Sequence, residues 1–137
     1  MARVQWRTAE TQLASIRRTV FVDEQRVPEA LEWDGLDADC VHALATVLNG
    51  TPVGAGRLLP DGHIGRMAVL KDWRGRGVGG ALLAELVAAA REAGHAQARL
   101  NAQVHALDFY ARFGFVASGP VFDDAGIPHR GMTLELK

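Results

Sequence analysis

The sequence predicts a mixed α/β (α+β) domain of about six to seven strands flanked by about four helices. Three observations lead there. Three apolar strands are separated by two tight turns, Asn49-Gly50 and Pro60-Asp61-Gly62, which makes an antiparallel meander. The third strand runs through a basic, glycine-rich turn into a long amphipathic helix, and a further strand follows. A strand, a crossover helix and a strand pair in parallel with a right-handed crossover, so the sheet starts antiparallel and then takes a parallel step. At 137 residues with 48% hydrophobic content, one domain spanning residues 1–137 is expected.

Taken in order, Arg3 to Arg7 alternates and reads as a first strand. Thr8 is placed to cap a helix from Ala9 to Val22. Its apolar stripe is Leu13, Ile16, Val20 and Phe21, with Glu10, Gln12, Arg17 and Arg18 on the polar side. Residues Asp23 to Asp39 form an irregular stretch with a short helix at Glu29 to Trp33. The stretch holds seven acidic residues, Asp23, Glu24, Glu29, Glu32, Asp34, Asp37 and Asp39, and reads either as a solvated acidic loop or as a site for a cationic substrate.

The meander strands are Cys40 to Leu48, Pro52 to Leu59 and His63 to Val69. The long helix runs from Gly77 to Ala93 and Gly94 ends it. Gln97 to Asn101 is the parallel strand. Val104 to Phe113 is a helix closed by Gly114, Phe115 to Ser118 a strand, Asp123 to Pro128 a turn, and His129 to Leu136 the last strand.

A net charge of −1 offers no field for nucleic acid or anionic lipid, so neither a nucleic-acid nor a membrane partner is expected. Of 15 basic residues only Lys71 and Lys137 are lysines. The single cysteine, Cys40, excludes an intrachain disulfide and reads as a small buried hydrophobe. No leader or spanning segment is legible, and a cytoplasmic placement is expected. No Cys/His or His/Glu spacing suggests a metal site.

The chemistry concentrates at Arg74-Gly75-Arg76-Gly77-Val78-Gly79-Gly80. Glycine allows positive φ and close approach to the backbone. The first amides of a helix lack intrahelical partners and sit at the positive end of its dipole, which suits a phosphate or diphosphate. The literal Gly-x-Gly-x-x-Gly of Gly75, Gly77 and Gly80 fits a dinucleotide site poorly. A basic spacer separates it from its strand, it lies mid-chain, and the next strand ends at Leu100-Asn101 without an acidic residue.

Arg74-x-x-Gly77-x-Gly79, after a strand ending Met67-Ala68-Val69, resembles the diphosphate loop of the GNAT acetyltransferase superfamily. Ala106-Leu107-Asp108-Phe109-Tyr110-Ala111-Arg112-Phe113-Gly114-Phe115 resembles that family's Ala-x-x-Phe-Tyr-x-x-x-Gly-Phe signature. Val20 to Gln25, Trp33-Asp34-Gly35, Asn101 to His105 and Gly126 to His129 look like its ElaA-like branch. Two positions depart from the common pattern: Lys71 stands where many members have proline, and Gln103 where many have asparagine.

The resemblance implies an N-acetyltransferase that uses acetyl-coenzyme A. Arg74, Gly75, Arg76, Gly77, Val78, Gly79 and Gly80 would hold the diphosphate, and Met67, Ala68, Val69, Asn101, Phe109 and Phe113 the rest of the coenzyme. Tyr110 would be the general acid toward the leaving sulfur, and Phe21, Glu24, Trp33 and His129 would face a small-molecule or peptide amine. Glu24, His63, His105, His129 and a water chain are open as bases. A homodimer is compatible with this reading. The competing readings are a coenzyme A-binding sensor without transfer activity and a nicotinamide-dependent oxidoreductase.

Overall fold

A computed structural model describes residues 1–137. Strands β1 (Ala2–Val4), β2 (Val41–Thr46), β3 (Pro52–Leu58), β4 (His63–Val69), β5 (Gln97–Gln103), β6 (Val116–Asp124) and β7 (Ile127–Glu135) form one sheet in the order β1-β2-β3-β4-β5-β7-β6. All neighbours are antiparallel except β4 and β5, which are parallel. Helix α3 (Val78–Glu92) is the crossover between them, as strand–helix–strand logic requires. Helices α1 (Trp6–Arg17), α2 (Glu29–Glu32) and α4 (Leu107–Ala111) complete the set.

The sheet has a core on each face. On one, Leu82, Leu83 and Leu86 of α3 are fully buried against Ala43, Ile64, Ala98 and Leu100. Full burial of such a side chain contributes about 1.5–3 kcal/mol. Glycines on β3 let α3 come this close. A Cβ at Gly54 would lie 2.8 Å from Val78 Cγ1 and 2.9 Å from Leu82 Cδ1. On the other face, Leu13, Ile16, Val20 and Phe21 of the first helical segment pack on Leu44, Ala55 and Ala68.

Four local differences from the sequence reading have physical causes. The first strand stops at Val4 and the helix begins at Trp6 with Gln5 as its N-cap, so Thr8 is inside it and its hydroxyl donates back to the Gln5 carbonyl at 3.0 Å. The helix then widens into a π-helical stretch, Arg18–Glu24, closed by Gln25 N–H on the Val20 carbonyl at 3.0 Å. The segment before α4 is a short 3-10 turn, Val104–Ala106. Finally, β6 and β7 run through the stretch read as a turn. Only Ala125 and Gly126 turn the chain, both at positive φ (55° and 78°), as a two-residue hairpin of primed type demands.

Candidate active site

Strands β4 and β5 are paired only at His63 with Arg99 and Ile64 with Leu100. Beyond these two positions they diverge. Just past the divergence β4 carries a bulge. Ala55 pairs with Ala68 and Arg57 with Gly65, so Arg66 and Met67 together oppose Gly56. Arg66 takes φ 50°, an uncommon value for a side chain other than glycine. A bulge bends its strand and re-aims the residues around it. Here it leaves Met67, Ala68 and Val69 bordering a cleft of about 870 Å³.

The cleft draws its walls from widely separated parts of the sequence. Phe21 and Glu24 come from the middle and the end of the π-helical stretch, Asn101 and Gln103 from β5, Tyr110 from α4, and His129 from β7. The side-chain amide of Gln103 donates to Gln25 Oε1 at 2.9 Å and ties the two walls together.

At the rim of the cleft, the glycine turn feeds α3. Gly75 and Gly77 have φ of 74° and 84°, and a Cβ at either would meet nothing within 4 Å. Conformation, not crowding, therefore calls for glycine there. Gly77 is the N-cap and supplies no side-chain partner, so the first N–H groups of α3 point outward unclaimed. Gly80 is glycine for a different reason: a Cβ there would lie 2.9 Å from Phe113 Cζ, whereas one at Gly79 would meet Phe109 Cζ at an ordinary contact distance of 3.4 Å. The phenyl rings of Phe109 and Phe113 thus pack down on the start of α3 instead of lining the cleft. Arg76 lies over the Trp73 ring at 4.7 Å.

Arg74 is engaged more tightly than a free anion-binding arginine. Its Nη1 and Nη2 donate to the two oxygens of Glu24 at 2.6 and 2.7 Å, and its Nε donates to the Val69 carbonyl at 2.9 Å. The Arg74 guanidinium holds the Glu24 carboxyl below the usual carboxylate range. Tyr110 stands edge-on to Phe109 and Phe115, with centroids at 5.0 and 6.1 Å. Burial alone pushes its phenol up to about 12, so it keeps its proton at neutral pH.

The model of the acetyltransferase (GNAT) domain matches residues 8–136 of this chain. The chain belongs to the GNAT family. It is 43% identical over 125 residues to the uncharacterized N-acetyltransferase YjcF of Bacillus subtilis, covering 88% of each chain. Its fold is similar to the crystal structure of an acyl-CoA N-acyltransferase from Pseudomonas aeruginosa, with TM-score 0.82, 35% identity, and 91% and 89% of the two chains covered. It is also similar to the crystal structure of Escherichia coli ElaA, with TM-score 0.87, 30% identity and 98% of each chain covered. As a GNAT protein it is an acyl-CoA-dependent N-acyltransferase by family, and no helix is long and apolar enough to cross a membrane.

Within this GNAT frame the acidic loop behaves as neither sequence reading supposed. Arg17, assigned to the polar side of its helix, is 1% exposed. It donates from Nε to Glu32 Oε2 at 2.8 Å and from Nη1 to Asp37 Oδ1 at 2.6 Å. Arg57 from β3 is also buried and donates to Asp34 at 2.5 and 3.0 Å and to Asp37 at 2.9 Å. Arg66 of the bulge adds bonds to the Leu31 and Glu32 carbonyls at 3.3 and 3.1 Å. Three of the seven acids are therefore neutralised structural anions that strap the loop over α1 and β3. Trp33, expected at the acceptor, lies beneath Arg17 and Arg18 at 5.0 and 5.6 Å and does not border the cleft.

This network escaped the sequence reading because its cations are 15 to 34 positions from the acids they meet. The one legible signal was an arginine, Arg57, in an otherwise apolar strand. Cys40 is buried, its thiol is pushed up by burial, and its S–H donates to the Leu36 carbonyl at 3.3 Å. Gly80 under Phe113 leaves the literal Gly-x-Gly-x-x-Gly without its third functional glycine.

Proposed function

We propose that this protein, acting as a single domain over residues 1–137, transfers an acetyl group from acetyl-coenzyme A to the amino group of a small molecule or peptide by direct attack. The observation that carries the reading is the divergence of β4 from β5 beside the unclaimed amides of α3, with a protonated phenol bordering the same cleft. The unpaired edges of Gly65 to Val69 and Asn101 to Gln103 are two rows of backbone donors and acceptors that suit the amides of a pantetheine arm. The loop amides from Gly75 to Gly80 suit the diphosphate, and Arg76 adds charge.

The chemistry follows from these roles. A thioester supplies an electrophilic carbonyl and a good leaving group. A backbone N–H of β4 between Met67 and Val69 stabilises the negative charge that develops on the carbonyl oxygen. Tyr110 gives its proton to the departing sulfur. With its phenol held at about 12, Tyr110 enters the reaction with its proton in place and gives it up only as negative charge builds on the sulfur. Phe21 and Glu24 border the acceptor end.

The test is calorimetric titration with acetyl-coenzyme A, followed by thiol release with a panel of amines. Binding in the micromolar range and amine-dependent thiol release are expected. Absence of binding would overturn the proposal.

A further inference from the structure

We infer that His129 is the general base for this transfer, an inference that rests on the acyl-transfer reading above. Three histidines border the cleft, and their surroundings differ. His63 lies on β4 where that strand is still paired with β5, and its Nδ1 faces Asp61 at 3.0 Å on an exposed turn. From His63 to the open end of β4 at Val69 is about 20 Å along an extended strand. His105 is exposed and gives one ring nitrogen to the side chain of Gln103 at 2.6 Å. His129 is different on each count.

His129 pairs across the sheet with Gln103, the last residue of β5. That puts it at the divergent end, next to the turn that leads into α4 and Tyr110. It is 9% exposed and stacks on Phe122 of β6, with ring centroids 6.0 Å apart. Its Nδ1 lies 2.7 Å from the Ile127 carbonyl. A carbonyl only accepts, so Nδ1 carries the proton and donates it. The neutral ring then presents Nε2 as a lone pair with no partner inside the chain. A buried, stacked imidazole with its tautomer fixed by the backbone is a positioned proton acceptor. The other carboxyl, imidazole and phenol groups bordering the cleft are Glu24, Glu32, Asp61, His63, His105, Tyr110 and Asp124, beside the cations Arg57, Arg66 and Arg74. Of these, Glu24 is already committed to Arg74.

The proton balance closes. A cationic amine first gives its ammonium proton to His129 Nε2. The neutral amine then forms the C–N bond at the thioester carbon. The C–S bond breaks, and the thiolate takes the Tyr110 proton. The second N–H proton that the amine sheds goes to the Tyr110 oxygen once that group has protonated the sulfur. The imidazolium then loses its proton to water, which leaves amide, free thiol and the original enzyme.

The variant that separates chemistry from structure is His129→Asn. Its side-chain N–H can replace Nδ1 as donor to Ile127, while the basic nitrogen is gone. Turnover is measured with butylamine, cationic at neutral pH, and with trifluoroethylamine, which is largely neutral there. The proposal expects an unchanged melting temperature, unchanged acetyl-coenzyme A affinity, and a loss of about 100-fold with butylamine. It also expects a clearly smaller loss with trifluoroethylamine and partial rescue by added imidazole. Equal losses with both amines and no rescue, or unimpaired turnover with butylamine, would overturn it. Failure of the wild type to acetylate either amine would instead overturn the transfer reading, and His129 as its base with it. The coenzyme titration reports separately on the diphosphate cradle.

Discussion

Arg74 and Glu24, fifty positions apart, form a two-pronged ion pair across the mouth of the cleft at 2.6 and 2.7 Å. The pair joins the turn before α3 to the end of the π-helical stretch, so the glycine-turn rim and the opposite wall of the cleft share one contact. Replacing Glu24 by Gln removes a negative charge from beside the proposed diphosphate site. Acetyl-coenzyme A affinity should rise or hold in Glu24→Gln and fall about tenfold in Arg74→Ala, which leaves the Glu24 carboxylate unpaired beside that site. Isothermal titration of both variants decides this, and weaker binding by Glu24→Gln would contradict it.

Tyr110→Phe should leave coenzyme affinity and melting temperature nearly unchanged and lower turnover about 100-fold. The phenol sits at about 12 in the folded protein, so the wild-type rate should show no loss from this group as pH rises from 7 to 9. Full turnover in the phenylalanine variant would remove Tyr110 as the acid.

Gly77→Glu sets a carboxylate at the dipole-positive start of α3 and should abolish acetyl-coenzyme A binding. Gly77→Ala isolates the backbone term. There is space for the methyl, but φ of 84° costs about 1–2 kcal/mol for any residue with a Cβ. A few degrees off the melting temperature with binding retained is the expected result, checked by thermal denaturation and titration together.

Arg17→Met takes one of two cationic partners from each of two buried carboxylates, Glu32 and Asp37, which keep Arg66 and Arg57. A loss of about 3 kcal/mol in urea unfolding is expected, because the buried negative charge is then only partly compensated. Arg18→Met is the comparison. Its partner Glu29 is more than half exposed, and the change should be close to neutral.

Acid should unfold the protein partly through Asp34. Its bonds to Arg57 hold it below the ordinary 3.8. A depressed carboxylate contributes stability above its unfolded value, and that contribution is lost as pH falls toward the folded one. Asp34→Asn should therefore be less stable at pH 7 and show a shallower decline in stability below about pH 4. Parallel slopes for the two proteins in acid denaturation would refute this.

Local signals made most of the fold legible. Asn49-Gly50 and Pro60-Asp61-Gly62 set the meander, the turn into α3 set the parallel step, and Gly94 and Gly114 set two helix ends. The ion-pair network around Arg17 was not legible, since helical periodicity puts an arginine outside and only the chain folding back over it buries the charge. The π-helical widening before Glu24 likewise has no signature in residue type. For the candidate site, the glycine turn and Tyr110 stood out as motifs, whereas the setting of His129 depends on its own strand geometry and on a partner, Phe122, across a hairpin that was read as shorter. In the sequence Gly80 looks the same as Gly75 and Gly77, yet those two answer to dihedral angle and Gly80 to the Phe113 ring.

The two-rung contact between β4 and β5 has a mechanical corollary. The sheet is two leaves joined by a short seam at His63 and Ile64, with a wedge-shaped gap above it. An occupant bonded to both free edges would serve as a missing strand and clamp the leaves together. Loading with substrate should then slow amide exchange along Gly65 to Val69 and Asn101 to Gln103, far more than at the distant β1–β2 edge.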